Sequence, residues 1–450
     1  MSGLRRVMVA NRGEIAVRII RACHVAGVEA VAVYSDADEH SKWVRMADDA
    51  VHIGRSAAQK SYLDPDALLK AARATEVDAV HPGYGFLSES GAFARAIDEA
   101  GLVFIGPRPA VLEQMGDKAA ARGAAASAGV PVVPGTDPID DPADVPRLAA
   151  EIGFPLLLKA AAGGGGRGIR PVHDLDGLLD ALPAAQAEAR SAFGDPAVYL
   201  ERAVANARHV EVQVLADDHG NVVHLFERDC SVQRRRQKLI EEAPAPALHE
   251  ETRQAITAAA VRLAEHVGYR GAGTVEFLVD GDGNFYFIEM NARVQVEHPI
   301  TEAITGVDVV AEQLRIAGGE ALSMDQSSIE RRGAAVELRI NAEDPERDFA
   351  PTPGEITVLR LPGGPGVRVD TGISQGDRIS PFYDSLIAKI ICWGADRDQA
   401  YARARQALTE FQVEGVASTA ALHRELTNDP ELAAGPVHTL WLEHHLSNGR

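Results

Sequence analysis

The sequence predicts a protein of mixed α/β and α+β class, with a parallel α/β domain first and a mostly β domain last. Three observations support this prediction. A strand, a helix and a second strand follow one another in the first 34 residues, a hairpin of alternating polarity lies around residue 284, and prolines punctuate a β-rich segment after residue 330. The chain has 450 residues, 46% of them hydrophobic, which predicts about two to four packed domains.

The N-terminal segment shows the alternation typical of a parallel sheet. The predicted elements are a strand over Val7–Ala10, a helix over Glu14–Ala26 and further strands over Val31–Tyr34, Val77–Val80 and Val103–Ile105. Strand, helix and strand at this spacing favour a right-handed crossover in a parallel α/β domain. A dinucleotide-binding domain is the alternative, weakened because the first turn holds one glycine where that fingerprint needs three.

Composition excludes several classes of partner. The chain carries 45 basic and 65 acidic residues, a net charge of −20, which argues against nucleic acid or an anionic membrane as the main partner. Cys23, Cys230 and Cys392 are too few and too far apart for a disulfide framework or a thiolate zinc site. No segment approaches the 18 apolar residues of a membrane span. We therefore expect a cytoplasmic protein with no membrane partner.

Three loops carry residues suited to an anionic ligand. The loop His81–Glu89 is rich in glycine and aromatic residues, which is typical of a ligand rim at a strand end. A predicted strand over Phe154–Lys159 leads into Ala160–Gly168, whose glycines let backbone amides approach an anion; Gly-Lys-Ser/Thr is missing, so this is not a P-loop. The basic run Arg228–Lys238 stands in an acidic chain, where local cations suit phosphate.

The stretch Glu289–Pro299 alternates strictly in polarity. Apolar Ile288, Met290, Ala292, Val294 and Val296 alternate with polar Glu289, Asn291, Arg293, Gln295 and Glu297. A period of two predicts one extended strand with a polar face. That face would present carboxylate, amide, guanidinium, amide and carboxylate groups.

The preceding strand, Thr274–Val279, is expected to pair with this stretch as a hairpin. If Asp282 and Gly283 form a two-residue turn, Glu276 falls opposite Glu289. Two like charges in that relation repel unless a cation lies between them, and an oxygen set completed by Asn291 suits Mg²⁺ better than zinc. The alternative is an exposed hairpin with a solvated acidic face.

Together these motifs resemble those of biotin carboxylase, a member of the ATP-grasp superfamily, over essentially the whole chain. The matching motifs are Ala10–Ala16, the loop His81–Glu89, Met115–Lys118, Lys159 with its glycine loop, Arg228–Lys238 and Glu289–Pro299. The resemblance implies an N-terminal α/β domain over residues 1–115 and an ATP-grasp domain over 116–330. It also implies a mobile lid subdomain at about 131–204 and a C-terminal domain over 331–450.

The resemblance implies an enzyme that uses ATP with Mg²⁺ or Mn²⁺, and bicarbonate, to form carboxyphosphate and then carboxylates biotin on a partner protein. Nucleotide-binding residues would be Lys118, Lys159, Gly164, Gly165, Gly166, Glu201, His209 and Gln233, and metal ligands Glu276, Glu289 and Asn291. Arg293, Gln295 and the Val296 backbone would bind bicarbonate, Glu297 would be the general base, and Lys238 would contact the transferring phosphoryl group. Arg339 would stabilise the biotin enolate, above a floor of Tyr84 and Gly85.

Three positions depart from the family pattern, namely Arg236 in place of His, Ala162 in place of Gly and Ala292 in place of Thr. No Met-Lys-Met biotinylation motif occurs, so we expect biotin to arrive on a separate biotin carboxyl carrier protein. The resemblance also implies a separate carboxyltransferase subunit and a homodimer. The final acceptor stays open among acetyl-CoA, propionyl-CoA, pyruvate and others. Two alternatives remain, namely another ATP-grasp carboxylate ligase and a non-catalytic nucleotide-binding scaffold.

Overall fold

A computed structural model describes residues 3–139, 141–161 and 168–448. The N-terminal region is a parallel α/β unit, as predicted. Its elements are β1 Arg6–Val9, α1 Gly13–Val25, β2 Glu29–Ser35, α2 Lys42–Met46, β3 Asp49–Gly54, α3 Pro65–Ala74, β4 Ala79–His81, α4 Gly91–Glu99 and β5 Val103–Phe104. The strands form one parallel sheet in the order β3-β2-β1-β4-β5.

The middle of the chain alternates helices with antiparallel strands. Its elements are α5 Pro109–Gly116, α6 Lys118–Ser127, α7 Val145–Ile152, β6 Leu156–Ala160, β7 Ile169–Val172, α8 Leu175–Phe193, β8 Val198–Arg202, β9 Arg208–Ala216, β10 Val222–Arg234, β11 Gln237–Ala243, α9 Glu250–His266, β12 Gly271–Val279, β13 Phe285–Asn291, α10 His298–Thr305 and α11 Val309–Ala317. Strands β7, β6 and β8 form a small antiparallel sheet that shares a separate apolar core with α7 and α8.

The C-terminal region is rich in antiparallel sheet, and its described residues also include four α-helices. Its elements are β14 Ala334–Asn341, β15 Glu343–Asp344, β16 Ala350–Pro351, β17 Gly354–Glu355, β18 Val358–Arg360, β19 Val367–Asp370, β20 Arg378–Ile379, β21 Leu386–Gly394, α12 Arg397–Glu410, β22 Gln412–Glu414, α13 Ala420–Leu426, α14 Pro430–Ala434 and α15 Trp441–Asn448. No helix in the described part of the chain is long and apolar enough to cross a membrane.

One eight-stranded antiparallel sheet joins the middle and C-terminal regions, in the order β13-β12-β9-β10-β11-β14-β21-β19. Strand β14 pairs with β11 of the middle region on one side and with β21 of the C-terminal region on the other, so backbone hydrogen bonds join the two regions. Side chains on one face of β9, β11, β12 and β14 therefore share a surface. The candidate functional site lies on this surface.

The register of the β12–β13 hairpin differs from the prediction. Near the turn, Val279 pairs with Phe285, because the loop runs from Asp280 to Asn284 and is longer than the two residues expected. The Asp280 carboxylate accepts hydrogen bonds from the backbone of Asp282 and Asn284, which stabilises the longer loop. A bulge between Glu276 and Phe277 shifts the register by one, and Glu276 does lie opposite Glu289.

The prediction of one extended strand over Glu289–Pro299 is wrong beyond Asn291. Strand β13 ends there, a connecting segment over residues 292–297 follows, and α10 begins at His298. Ile288, expected in the core, is 39% exposed. The basic run also holds a turn: β10 and β11 form a tight hairpin whose two turn residues, Arg235 and Arg236, both have positive φ.

A close backbone approach connects the C-terminal region to the N-terminal unit. Gly372 follows β19, and a Cβ atom placed on it would lie 2.4 Å from the Gly13 carbonyl carbon and 2.8 Å from the Glu14 amide nitrogen. The φ of Gly372 lies outside the left-handed region, so only the missing side chain requires glycine. This contact packs the C-terminal region against the first turn of α1.

We predict that Gly372→Ala lowers the free energy of unfolding by about 1–3 kcal/mol, because the added methyl group overpacks the contact with Gly13. Gly363→Ala is the matched control: its Cβ would meet no atom within 4 Å, and a change within about 0.5 kcal/mol is expected. Chemical denaturation followed by circular dichroism measures both. Equal changes in the free energy of unfolding for the two substitutions would show that the contact between Gly372 and Gly13 does not require a glycine.

Candidate functional site

A cluster of ionised side chains occupies the shared face of the large sheet. The Lys238 ammonium, on β11, donates hydrogen bonds to Glu211 Oε2 at 2.6 Å, Glu276 Oε1 at 3.1 Å and Glu297 Oε1 at 2.6 Å. These carboxylates come from β9, from β12 and from the residue before α10. Burial would lower the Lys238 pKa, but Cys230 and the three carboxylates hold it well above its ordinary value. The ammonium therefore stays charged.

Glu297 is fully buried and has cations on both sides. Its second oxygen accepts from Arg339 Nη2 at 2.9 Å. Burial would raise the Glu297 pKa, but Lys238, Arg339 and Arg228 together hold it well below its ordinary range. In this arrangement Glu297 is an ionised carboxylate of low basicity.

Arg339 also lies 2.5 Å, from its Nε, from Glu241 Oε1 on the neighbouring strand β11. Glu241 in turn faces Glu337 across the β11–β14 ladder. Burial raises the pKa of Glu241 to about 7, despite the opposing effect of Arg339. Burial also raises the pKa of Glu337 well above its ordinary value. Arg339 thus lies between an ionised carboxylate, Glu297, and two carboxyl groups that bind protons more readily.

Arg228 is a further cation that contacts this cluster. Its guanidinium is fully buried and donates to Glu211 Oε1 at 2.6 Å, Gln213 Oε1 at 2.8 Å and Thr301 Oγ1 at 2.9 Å. Glu211 is thus held by Lys238 on one oxygen and by Arg228 on the other. This bracing fixes the carboxylate that orients Lys238.

Arg293 organises the connecting segment 292–297. Its guanidinium donates to Glu89 Oε2 at 3.0 Å, Asn291 Oδ1 at 2.8 Å and Gln295 Oε1 at 2.9 Å. The other Glu89 oxygen accepts from the backbone of Ala292. Although this segment is not a strand, Arg293 and Gln295 still meet, because side-chain hydrogen bonds replace the predicted pleat.

The three predicted metal ligands lie together on the β12–β13 hairpin. Glu276 and Glu289 are cross-strand neighbours, and Asn291 Nδ2 donates to Glu276 Oε1 at 2.8 Å. Gln295 Nε2 donates to the same Glu276 oxygen, while His209 Nε2 lies 2.9 Å from the other. The oxygen donors of Glu276 and Glu289 fit Mg²⁺. The Asn291 side-chain oxygen is directed at Arg293, so Asn291 orients Glu276 in this arrangement.

Several predicted nucleotide-binding residues form a second group. Lys159 on β6 is ion-paired with Glu201 on β8, and Lys118 begins α6, whose cap is the Asp117 side chain. Burial lowers the Lys118 pKa, while the Glu289 carboxylate opposes this shift. Lys118 therefore lies within electrostatic range of the β12–β13 hairpin. Gln233 is buried and donates to the Cys230 carbonyl oxygen. Gly164, Gly165 and Gly166 lie outside the described residues.

The predicted biotin-pocket residues lie in the loop after β4. The Tyr84 hydroxyl donates to Glu14 Oε1, and the Tyr84 carbonyl oxygen accepts from Asn11 Nδ2 at 2.7 Å. Gly85 has a φ of +66°, a conformation that glycine adopts readily. The loop is therefore fixed by side chains of the first βα turn.

Sequence reasoning assigned no role in the site to Glu211, Arg228 or Glu241. Glu211 alternates with His209 and Gln213 along β9, a polar face that was readable in the sequence. Arg228 belongs to the basic run noted in the sequence, but its pairing with Glu211, like the position of Glu241, depends on which strands become neighbours. Among the described residues, two groups of acidic, histidine or cysteine side chains are close enough to hold an ion, and both include Glu211.

Comparisons with known families cover most of the chain. Residues 3–112 match the family described as Biotin carboxylase, N-terminal domain, and residues 337–444 match Biotin carboxylase C-terminal domain. Residues 117–325 match the family described as Carbamoyl-phosphate synthase L chain, ATP binding domain.

Individual relatives are similar over their whole length. A biotin carboxylase of Pseudomonas aeruginosa is 50% identical over 98% of this chain and 99% of its own. One of the subunits of Methanothermobacter thermautotrophicus pyruvate carboxylase is 50% identical over 98% of this chain and 90% of its own.

Solved structures are similar to the same extent. Biotin carboxylase of Campylobacter jejuni, in complex with β,γ-ATP, has a TM-score of 0.94 and 43% identity over 98% of this chain and 99% of its own. The biotin carboxylase domain dimer of Hydrogenobacter thermophilus 2-oxoglutarate carboxylase, in complex with MgADP, ADP and bicarbonate, has a TM-score of 0.93. It is 47% identical over 98% of both chains.

We predict that Lys238→Met destabilises the protein more at pH 8 than at pH 5.5. In the wild type, Glu276 and Glu297 have lowered pKa values, so they stabilise the fold above the unfolded pKa of about 4.3. Without the ammonium the clustered carboxylates take raised pKa values, and stability falls as pH rises through them. The expected loss at pH 8 is about 3–5 kcal/mol.

Urea denaturation at both pH values, with the wild type as reference, measures this effect. Lys70→Met, on the exposed side of α3, is the control and should show no pH-dependent loss. An equal loss at both pH values in Lys238→Met would contradict the charge argument.

Proposed function

The chain belongs to the biotin carboxylase family, and from that membership we propose that it carboxylates biotin with ATP and bicarbonate. Bicarbonate oxygen attacks the γ-phosphorus, the bond to ADP breaks, and carboxyphosphate forms. Its carboxyl carbon is then transferred to N1 of biotin, which loses a proton, and phosphate leaves. The observation that carries this proposal is the Glu297 carboxylate held between Lys238 and Arg339.

Bicarbonate is proposed to bind at Arg293, Gln295 and the Val296 backbone, with Glu297 taking its proton. As long as Lys238 and Arg339 pair with Glu297, its low pKa makes it a weak base. When Lys238 turns to the phosphoryl group, the Glu297 pKa rises toward that of an unpaired buried carboxylate. Nucleotide binding therefore activates the base by removing one of its two partners, before biotin takes part.

The phosphoryl group is proposed to be neutralised by lysines. Lys238 would contact the group in transfer, while Lys118 and Lys159 would hold the phosphates and Glu201, His209 and Gln233 the rest of the nucleotide. Glu276, Glu289 and Asn291 would hold Mg²⁺, which supplies charge neutralisation to the phosphate oxygens. Positioning and electrostatics carry this class of reaction, since the protein forms no covalent bond to phosphorus.

Biotin is proposed to meet Arg339 above Tyr84 and Gly85. The guanidinium would stabilise the enolate oxygen as the N1 proton leaves. We further propose that biotin arrives on a separate carrier protein, that a carboxyltransferase subunit completes an acyl-CoA carboxylase, and that the enzyme is a homodimer. The dimer described for the Hydrogenobacter thermophilus domain supports the last of these proposals.

We predict that Glu297→Gln and Arg339→Ser differ in their effect on ADP release. In the wild type, ADP release should depend on bicarbonate and increase with free biotin, which another carboxylate ligase or a scaffold would not show. Glu297→Gln should depress both ADP release and carboxybiotin formation by about 10²-fold or more, because the base acts before biotin is involved. Arg339→Ser should spare much of the biotin-independent ADP release while abolishing carboxybiotin, because carboxyphosphate still forms and decays.

Both products are measured in each variant, with bicarbonate present and biotin varied. Glu99→Gln and Arg73→Ser, both on exposed helix surfaces, serve as controls of matched chemistry. Equal loss of both activities in Arg339→Ser, with fold and ATP affinity retained, would overturn the assignment of Arg339 to the biotin step.

We predict that Glu276→Gln and Glu289→Gln each raise the Mg²⁺ concentration needed for half-maximal ADP release. Removing one carboxylate takes away a charged oxygen ligand and weakens coordination. Mg²⁺ titrations of both variants, beside Glu99→Gln, make the measurement. If neither titration curve moved, the hairpin would not be the metal site.

A further inference from the structure

Lys389 is a fully buried lysine that none of the proposed steps uses. It lies on β21 opposite Arg339 of β14. Its ammonium lies 3.0 Å from Glu14 Oε1 of α1 and 4.0 Å from Asp370 Oδ2 of β19. It also donates a hydrogen bond of 2.7 Å to the carbonyl oxygen of Val296.

The contact with Val296 lies within the connecting segment 292–297, next to the two proposed site residues Gln295 and Glu297. Val296 stands between Gln295 and Glu297, and its carbonyl belongs to the peptide that carries the Glu297 amide. This segment is outside the sheet, so no strand ladder fixes it. A hydrogen bond from a buried ammonium to a carbonyl is stronger than one between neutral groups, and it restrains the peptide plane.

Glu14 extends the same contact to the loop after β4. Its Oε1 atom accepts from the Tyr84 hydroxyl as well as facing Lys389. One carboxylate oxygen therefore touches both the buried ammonium and a residue of the proposed biotin pocket. The first turn of α1, packed against Gly372, supplies this carboxylate.

We propose that Lys389 is a positioning residue: it holds the Val296 peptide, and with it the bicarbonate-binding segment, while Glu14 connects it to the biotin-pocket residue Tyr84. This inference rests on the proposed function. It assigns Lys389 no contact with substrate. Its effect is to keep Gln295 and Glu297 at fixed positions relative to bicarbonate, where a displacement of about 1 Å costs up to about 10²-fold in rate.

The charges around Lys389 decide how the inference is tested. Three carboxyl groups face it, from α1, β14 and β19, namely those of Glu14, Glu337 and Asp370. Two further titratable groups are near, Arg339 next to Glu337 and His298 on α10. Burial would lower the Lys389 pKa, but Glu14 and the other carboxylates raise it, so the ammonium is charged. Lys389→Met alone would leave buried carboxylates unpaired and destabilise the fold for that reason.

The double variant Lys389→Met/Glu14→Gln removes the ammonium together with its nearest carboxylate, and Glu14→Gln is the matched reference. Expected results are a recovery of stability in the double variant relative to Lys389→Met, and a KM for bicarbonate about 10-fold or more above that of Glu14→Gln. The KM for ATP should stay within about 2-fold, because the contacts of Lys389 are with Val296, Glu14 and Asp370 and not with the lysines of the nucleotide group. Glu14→Gln alone should raise the KM for biotin and spare that for bicarbonate.

A double variant with the same KM for bicarbonate as Glu14→Gln would overturn the inference, because Lys389 would then only balance charge. If the double variant fails to fold, Lys389→Arg decides by the same criterion: it keeps the charge but moves the donor, so an unchanged KM for bicarbonate would also overturn the inference. Wild-type enzyme without bicarbonate-dependent ADP release would overturn the proposed function, and this inference with it.

Discussion

The site depends on one mostly buried ammonium, that of Lys238, which is within hydrogen-bonding distance of three carboxylates. Three carboxylates cannot share so small a space in ionised form without a cation, since repulsion between buried charges far exceeds that in water. Glu211, Glu276 and Glu297 arrive from different elements, so the ammonium also joins β9, β12 and the start of α10. The same ion pairs therefore compensate the charges and hold these elements together.

From this centre the charges alternate outward in sign. On one side Glu276 leads through Gln295 to Arg293 and Glu89; on the other Glu297 leads to Arg339 and Glu241. An anionic substrate can enter such a chain by taking a cation from a neighbouring carboxylate, and the carboxylate that loses its cation then binds a proton more readily. A chain with a net charge of −20 repels anions at long range, so this local supply of cations is what makes anion binding possible.

Sequence reasoning predicted elements better than connections. The strand, helix and strand at the N-terminus were predictable because local periodicity dictates them. The hairpin turn was not, since Asp280 stabilises a longer loop that competes with the Asp-Gly turn, and the bulge between Glu276 and Phe277 depends on sheet packing. The turn at Arg235 and Arg236 lacks the glycine or asparagine that usually marks positive φ. Arg228 required knowledge of which strands become neighbours.

The connecting segment 292–297 explains how a wrong element assignment still identified a correct group of neighbours. Alternation of polar residues predicted a pleated strand, but the segment has no ladder, and its polar side chains meet because other regions hold it. Glu89 binds the Ala292 amide, His298 contacts the Gln295 carbonyl and Lys389 binds that of Val296. Irregular backbone needs such contacts to keep its buried polar groups satisfied. The geometry at Glu297 therefore depends on the N-terminal loop after β4 and on C-terminal strand β21, so all three regions of the chain are needed to form one site.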